Sequence, residues 1–166
     1  MKIAMIEPVC AHGGMDYYDF SLCRGLYNAG HEVKLYTSQA GPLAPEGILV
    51  QETFKGVYGN SPRLIRAAIW ILSLGKSMMD SRNFGAEVVH FHFFDAGPLE
   101  RLCVWFAKRW GYPVIATIHD VEPFHRERDN ASTASLLSSL DGIIVHNETS
   151  RVEVIKLIGH ETDNIA

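Results

Sequence analysis

Short apolar runs alternate with longer amphipathic segments along the whole chain. The apolar runs predict strands over residues 2–7, 31–37, 48–54, 87–93, 113–118 and 141–146. The amphipathic segments predict helices over residues 15–29, 62–81, 97–110, 131–140 and 148–158. Strands that alternate with helices of this length indicate βαβ units. We therefore predict an α/β fold with a doubly wound, mostly parallel sheet of about six or seven strands and helices on both faces.

The run P-V-I-A-T-I-H-D, which starts at Pro113, is typical of a strand buried on both faces. It ends in two ionisable residues, His119 and Asp120. Because ligands of open α/β sheets bind outside the carboxyl ends of the strands, we expect these two side chains to face a cleft. The structural alternative is that Asp120 caps a following helix and His119 is a hydrogen-bonded buried histidine.

Two adjacent glycines, Gly13 and Gly14, lie between the first predicted strand and the first helix. They allow the backbone to approach a ligand, and the helix N-terminus that follows favours an anion such as a phosphate or sugar phosphate. The segment is not G-x-G-x-x-G, which argues against a dinucleotide-dependent dehydrogenase. The alternative is a tight turn with no ligand.

His90 and His92 alternate along the fourth predicted strand and therefore share one of its faces. With His119, Asp120 and His125 they suggest a metal site, but one H-x-H pair is weak evidence for the three converging ligands of a catalytic zinc site. Histidines at such strand ends more often line a cleft or satisfy hydrogen bonds. We therefore predict no metal.

The predicted helix over residues 62–81 has a polar side and an apolar side. The polar side carries Arg63, Arg66, Trp70, Ser73, Lys76 and Ser77, and the apolar side carries Leu64, Ile65, Ala68, Ile69, Ile71 and Leu72. A basic face with an interleaved Trp suits the surface of an anionic membrane. The alternative is a solvated face opposite a face that packs on the core.

The composition fits a globular domain: 166 residues, 47% hydrophobic and 20% charged. A net charge of −4 provides no general basic field for nucleic acid. The three cysteines form no C-x-x-C pair, which favours a reducing cytoplasm over a disulfide framework. The first apolar run meets Glu7 and Pro8 too early for an export signal, and no stretch has the length needed to cross a bilayer.

Four motifs in order resemble the N-terminal half of a GT-B glycosyltransferase, most closely glycosyltransferase family 4. The first is K-I-A-M-I-E-P with the Gly13–Gly14 turn and the later A-G-H-E-V-K-L-Y-T. The second is E-V-V-H-F-H, the third is P-V-I-A-T-I-H-D, and the fourth is D-G-I-I-V-H-N-E-T-S-R. Each motif is loose, but their order and spacing are fairly specific, and the resemblance covers nearly the whole chain.

The resemblance implies a single Rossmann-like domain over residues 1–166 that forms the acceptor-binding half of the enzyme. It implies retaining transfer of a sugar from a nucleotide-sugar donor to a glycan or lipid-linked acceptor, in polysaccharide or glycoconjugate biosynthesis. The nucleotide sugar is a substrate, so no cofactor is expected. In such enzymes a second, C-terminal domain holds the nucleotide across a cleft, and oriented amides and cations stabilise the departing diphosphate.

The resemblance also implies positions for the site residues. His119 would lie beside the transferred sugar, and Asp120 would support the turn that follows it. The residues near the donor phosphates and the acceptor would be Gly13, Gly14, His92, Asn147 and Glu148.

The chain ends where the linker to the second domain is expected, with residues 160–166 resembling the start of that linker. We therefore expect no turnover from this chain alone. Two other functions remain open. One is a non-catalytic subunit that recruits a membrane acceptor through the helix after Pro62, which would add a peripheral location at the inner face of the membrane. The other is a metal-dependent hydrolase that uses His90, His92, His119 and Asp120.

Overall fold

The computed structural model describes residues 1–9, 15–39, 46–94, 97–119, 130–160 and 163–166. Its strands are β1 (Lys2–Ile6), β2 (Glu32–Tyr36), β3 (Leu49–Gln51), β4 (Val88–Phe93), β5 (Val114–Ile118) and β6 (Gly142–Val145). Its helices are α1 (Asp16–Asn28), α2 (Arg63–Phe84), α3 (Pro98–Arg109), α4 (Asn130–Ser138) and α5 (Glu148–Ile158).

The six strands form one sheet in the order β3-β2-β1-β4-β5-β6. This is the strand order of Rossmann-like sheets, so the predicted α/β fold is confirmed. The chain divides into two compact units, Met1–Val89 and His90–Ala166. No helix in the described part of the chain has both the length and the apolar character that crossing a bilayer requires.

In the first unit, β1, β2 and β3 pair in parallel. The register runs from Lys2 opposite Glu32 to Ile6 opposite Tyr36, and Lys34 of β2 lies opposite Leu49 of β3. The side chains of β1 from Ile3 to Ile6 are buried, as the apolar run predicts. α1 buries Phe20 and Cys23, and Gly30 follows it with φ of 87°, the left-handed conformation expected at a helix end.

α2 begins one residue after Pro62 and ends at Phe84, three residues beyond its predicted end. Its predicted orientation is wrong. The buried side chains are Trp70, Ser73, Leu74, Ser77, Met78 and Ser81, whereas the exposed apolar ones are Leu64, Ile65, Ile71, Leu72 and Met79.

Hydrogen bonds explain why serines lie on the inner face of α2. The Ser77 hydroxyl lies 2.8 Å from the hydroxyl of Thr53, and the Ser81 hydroxyl donates to the Ser77 carbonyl at 2.7 Å. Trp70 packs near Phe54, with ring centroids 6.1 Å apart. Because Ser77 and Ser81 find these partners, their hydroxyl side chains can be buried there without an unpaired group.

A polar cluster also fixes α2 to β2. Asp80 accepts a hydrogen bond from the Tyr36 hydroxyl at 2.8 Å and forms an ion pair with Lys34. Burial by itself would raise the pKa of Asp80, but the hydrogen bonds from Lys34 and Tyr36 and the nearby positive charges hold that pKa below its usual value. The carboxylate therefore stays ionised and links α2 to β2.

In the second unit, β5 and β6 pair in parallel, from Ile115 opposite Gly142 to Ile118 opposite Val145. Asp141, just before β6, accepts from the Val114 amide at 2.7 Å and from Lys108 of α3. Beyond α5, the segment 163–166 returns alongside β6: the Ile143 amide donates to Asn164 at 2.8 Å, and the Val145 amide donates to Ala166 at 2.9 Å. These last residues were predicted to begin a linker, but a parallel bridge between Ile143 and Ile165 places them against the sheet.

Candidate functional site

Four histidine rings gather in the second unit. β4 carries His90 and His92, and His119 and His146 come directly after β5 and β6. Because Ile118 and Val145 lie opposite each other in the parallel register, the next residue of each strand is also a neighbour. His146 Nε2 lies 3.0 Å from His119 Nδ1, so one ring donates a hydrogen bond to the other.

His119 is held at the end of β5 by three contacts. Its backbone amide donates to the Phe93 carbonyl at 3.0 Å. Its ring stacks on Phe94, with centroids 4.6 Å apart and planes 11° from parallel, and the ring of His146 lies 4.7 Å away. The imidazole is therefore oriented before any ligand arrives, and the ring is half-buried.

His90 and His92 lie beneath this pair. His90 is only 4% exposed, and its Nε2 lies 2.8 Å from the Thr117 hydroxyl of β5. The His92 ring lies 5.0 Å from the His90 ring and 5.6 Å from the His119 ring, which confirms that His90 and His92 share one strand face. The four rings thus extend continuously from the interior to the strand ends.

The buried rings are neutral at physiological pH. Burial, with smaller contributions from the nearby His92 and His119, lowers the pKa of His90 to about 3. Burial, with a smaller contribution from His146, lowers the pKa of His92 to about 4. The inner part of the cluster therefore offers neutral donors and acceptors, not positive charge.

The outer pair has a specific chemical capacity. If His146 donates through Nε2, then Nδ1 of His119 is the acceptor and the neutral His119 ring carries its proton on Nε2. That N–H can donate to a hydroxyl or carbonyl oxygen of a bound ligand. This is the role of a positioning donor, which needs no change in protonation during a reaction.

The remaining predicted site residues fall into two groups. Gly13, Gly14 and Asp120 lie outside the described residues, as does His125. Asn147 and Glu148 come after His146: the Asn147 side chain caps α5 by accepting from the Ser150 amide at 2.8 Å, and Glu148 lies 3.5 Å from Arg151. Helix capping gives Asn147 a structural role of its own.

Two histidines of the hydrolase alternative already have hydrogen-bond partners. His90 Nε2 lies next to the Thr117 hydroxyl, and His119 Nδ1 lies next to His146 Nε2. A catalytic zinc site needs three converging ligands, so a metal would have to displace these partners or use the second nitrogen of each ring. The hydrolase alternative stays a prediction.

Two members of the site were not predicted from the sequence. His146 ends the run D-G-I-I-V-H and Phe94 follows β4, and each contacts the ring of His119. The sequence does contain a pattern that indicates His146. A polar residue just after a strand of a parallel sheet lies at the carboxyl ends of the strands, where His119 also lies.

The first unit also holds a buried carboxyl group at a strand end. Glu7 follows β1, is fully buried, and accepts from the Val9 amide at 2.6 Å. A carboxylate oxygen of Asp19 on α1, also buried, lies within 4.8 Å of one of Glu7. Nothing in the local sequence pattern distinguished this pair from surface acids.

Comparisons with known proteins agree with this fold. A family model described as Glycosyltransferase Family 4 matches residues 12–166. D-inositol 3-phosphate glycosyltransferase 2 of Catenulispora acidiphila is 25% identical over 93% of this chain, which spans only 40% of that relative.

Two solved structures share the fold at 15% identity. A glycosyltransferase from Rickettsia africae superposes with a TM-score of 0.66 over 99% of this chain and 41% of its own. A sucrose-phosphate synthase from Thermosynechococcus elongatus gives 0.65 over 100% of this chain and 47% of its own. At this identity the two structures support the fold alone. Since the family model matches nearly every residue, the chain belongs to glycosyltransferase family 4.

Proposed function

We propose that this chain is the acceptor-side part of a retaining glycosyltransferase, which moves a sugar from a nucleotide-sugar donor to a glycan or lipid-linked acceptor. The observation that carries the proposal is the His119 ring, fixed at the carboxyl end of β5 by Phe94 and His146 in a chain of this family. The relative from C. acidiphila is named for sugar transfer to an inositol phosphate, which is consistent with a hydroxyl acceptor.

In this proposal His119 donates a hydrogen bond from Nε2 to an oxygen of the transferred sugar, and His146 keeps the ring in the required tautomer. His92 extends the polar lining inward as a neutral group. A hydrogen-bond donor that is already in position beside an oxygen stabilises the charge that develops there in the transition state. It lowers the activation barrier of the transfer because the site does not have to reorganise during the reaction. Gly13, Gly14 and Asp120 would complete the site near the phosphates and the following turn.

The test uses this chain joined to a donor-binding domain, the partner that the proposal requires. Transfer of a labelled sugar is measured for the wild type, His119→Ala and His146→Ala. We expect His119→Ala to lower kcat by about 10²-fold or more, as for other lost transition-state donors, and His146→Ala to have a smaller effect because the His119 ring remains.

The matched control is His160→Ala, since His160 is exposed and distant in sequence from the strand ends. It should keep wild-type kcat. Wild-type kcat in His119→Ala would remove His119 from the mechanism.

α2 supports a second proposal, peripheral contact with an anionic bilayer that carries the acceptor. The predicted contact through Arg63, Arg66, Trp70 and Lys76 needs correction, because Trp70 is only 8% exposed and packs on the core of its unit. The apolar residues of α2 are exposed instead: Leu64 is 85% exposed and Leu72 is 73% exposed. Arg63, Lys76 and Arg82 are exposed on the same helix.

An exposed apolar stripe with cations beside it matches an interfacial helix, whose apolar side enters the lipid while its cations meet anionic headgroups. Sedimentation with phosphatidylglycerol vesicles tests this directly. We expect the wild type to co-sediment and the pair Leu64→Ser with Leu72→Ser to lose most of that binding.

The control is Tyr17→Ser, which removes an exposed apolar ring from α1 and should leave vesicle binding intact. Equal binding by the α2 variant would contradict the proposal. Dimerisation of the wild type in place of vesicle binding would also contradict it, and would assign the stripe to a second copy of the chain.

A further inference from the structure

A groove between α3 and α4 lies apart from the histidine cluster within the second unit. Its volume is about 330 Å³, which is within the range of small-ligand sites. The residues that line it include Arg101, Trp105, Lys108 and Arg109 of α3, Ser135 of α4, and Ser139 just after α4. Nothing in the proposed transfer reaction uses these residues.

The α3 wall is basic. Arg101, Lys108 and Arg109 are all exposed, and Lys108 binds the Asp141 carboxylate through both oxygens at 2.9 and 3.0 Å. Arg101 is directed across the groove, where its Nη1 donates to the Ser132 hydroxyl at 2.7 Å. The described lining therefore has an excess of positive charge although the whole chain is acidic.

The middle of the same wall is aromatic. Trp105 is 61% exposed, and it lies between Arg101 and Lys108 in the i, i+4, i+7 spacing of one helix face. Arg101 and Lys108 are two helical turns apart, about 10 Å along the axis. The wall thus presents a flat apolar surface between two cations. The distance between the cations suits a ligand made of several linked units better than a ligand with a single ring.

The α4 wall is lined with hydroxyl groups. Ser135 of α4 and Ser139, just after α4, line the groove, and Ser132 of α4 accepts the hydrogen bond from Arg101, so the three hydroxyls form a stripe on the side that faces α3. The Ser139 hydroxyl donates to the Leu136 carbonyl at 2.6 Å and can still accept from a ligand. Serine hydroxyls both donate and accept, which matches a ligand that carries many hydroxyl groups of its own. An acidic peptide would match the cations but would leave this stripe with few partners.

We propose that the groove binds an anionic sugar chain, one whose residues carry carboxylate or phosphate groups. A sugar ring lies against Trp105, its hydroxyls bond to the serines of α4, and its anionic groups pair with Arg101 and Arg109. The choice of a sugar over another hydroxylated anion rests on the proposed function. The groove would bind a part of an acidic acceptor chain that is distant from the end that receives the sugar.

Binding is tested with the isolated chain by titration calorimetry, using tetragalacturonate and a phosphorylated maltotetraose as anionic probes. Neutral maltotetraose and tetraglutamate are the comparison ligands. We expect at least one anionic saccharide to bind about tenfold or more tightly than both comparison ligands, and the two anionic arms identify which acidic group is preferred.

Trp105→Ala and the pair Arg101→Ala with Arg109→Ala should each weaken that binding by about tenfold or more, since Trp and Arg dominate such contacts. The pair Arg63→Ala with Arg82→Ala removes the same charge from α2 and should change it by less than about twofold. His119→Ala should leave it unchanged, so a failure of the proposed transfer reaction is distinguishable from a failure here. Absence of saccharide binding, equal affinity for tetraglutamate, or wild-type affinity in the α3 variants would overturn the proposal.

Discussion

His90 and His92 show how burial sets the chemistry of single residues in this protein. Each imidazole is neutral because the interior disfavours its charged form, and each has a pKa well below the ordinary value of 6.5. His90 keeps its hydrogen bond to Thr117 in that neutral form. Stability should therefore depend on pH through these two residues.

The direction in which stability changes with pH follows from the number of protons bound by the folded and the unfolded chain. Between pH 6.5 and about 4 the unfolded chain binds protons at both histidines while the folded chain does not. The free energy of unfolding should thus be highest above pH 6.5 and fall as the pH decreases, by up to about 1.4 kcal/mol per pH unit for each histidine.

Urea denaturation between pH 7 and pH 4.5 measures this slope. His92→Gln should reduce it by about half, because one of the two titrating groups is gone. His160→Gln, at an exposed position, should keep the wild-type slope. A His92→Gln variant with the wild-type slope would show that His92 does not titrate as we expect.

The Thr117 hydroxyl provides a second test at this scale. Thr117→Val keeps the shape and the β-branched character of a strand residue but removes the partner of His90 Nε2. A buried polar atom without a partner costs about 1–3 kcal/mol, so we expect a loss of that size in the free energy of unfolding. Thr117→Ser, which keeps the hydroxyl, is the control and should lose less. Equal losses in the two variants would mean that the hydrogen bond contributes little.

At the scale of elements, α2 is the helix whose buried face is opposite to the one expected from its apolar residues. Leu64, Ile65, Ile71 and Leu72 suggested the inner face by their apolar character, yet the structure turns them outward and buries Ser73, Ser77 and Ser81. The residues that α2 contacts decide which of its faces is buried. The Thr53 hydroxyl is hydrogen-bonded to Ser77, and the Phe54 ring packs near Trp70.

Exchanging side-chain size on the two faces tests this orientation. Ser77→Leu should destabilise the protein by about 1–3 kcal/mol, because a larger side chain replaces a buried hydroxyl that contacts Thr53. Leu72→Ser, at a position 73% exposed, should change the free energy of unfolding by less than about 0.5 kcal/mol. Thermal or urea denaturation gives the ranking, and the opposite ranking would restore the orientation expected from hydrophobicity alone.

At the scale of the whole molecule, the chain matches 40% to 47% of the length of the three relatives compared. In the proposed reaction the nucleotide is held by a separate donor-binding domain. The isolated chain should therefore show no donor-dependent transfer, and the chain joined to such a domain should show it.

A labelled nucleotide sugar, incubated with either protein and an acceptor extract, measures transfer directly. The matched control is the joined protein with His119→Ala, which keeps the donor-binding domain and should still bind nucleotide. Transfer by the isolated chain at the rate of the joined protein would contradict the division of function that we propose.

Many features of this protein could be predicted from local patterns in the sequence. The alternation of apolar runs and amphipathic segments located the six strands and five helices described, mostly within one to three residues, because each element leaves its period in the sequence. Pro113 to His119 was correctly identified as a buried strand that ends in an imidazole, since a continuous β-branched run is typical of such strands. Four ordered motifs were enough to suggest the family that the comparison then confirmed.

Tertiary structure decided what depends on partners distant in sequence. His146 reached His119 through the register of β5 and β6, which no single segment specifies. The inner face of α2 depended on Thr53 and Phe54, and the segment 163–166 joined β6 through backbone hydrogen bonds that any sequence can form. The sequence by itself thus determined the elements, their order and the family, because periodicity is local. The three-dimensional structure decided which faces meet, because that depends on shape and hydrogen-bond partners brought together only by folding.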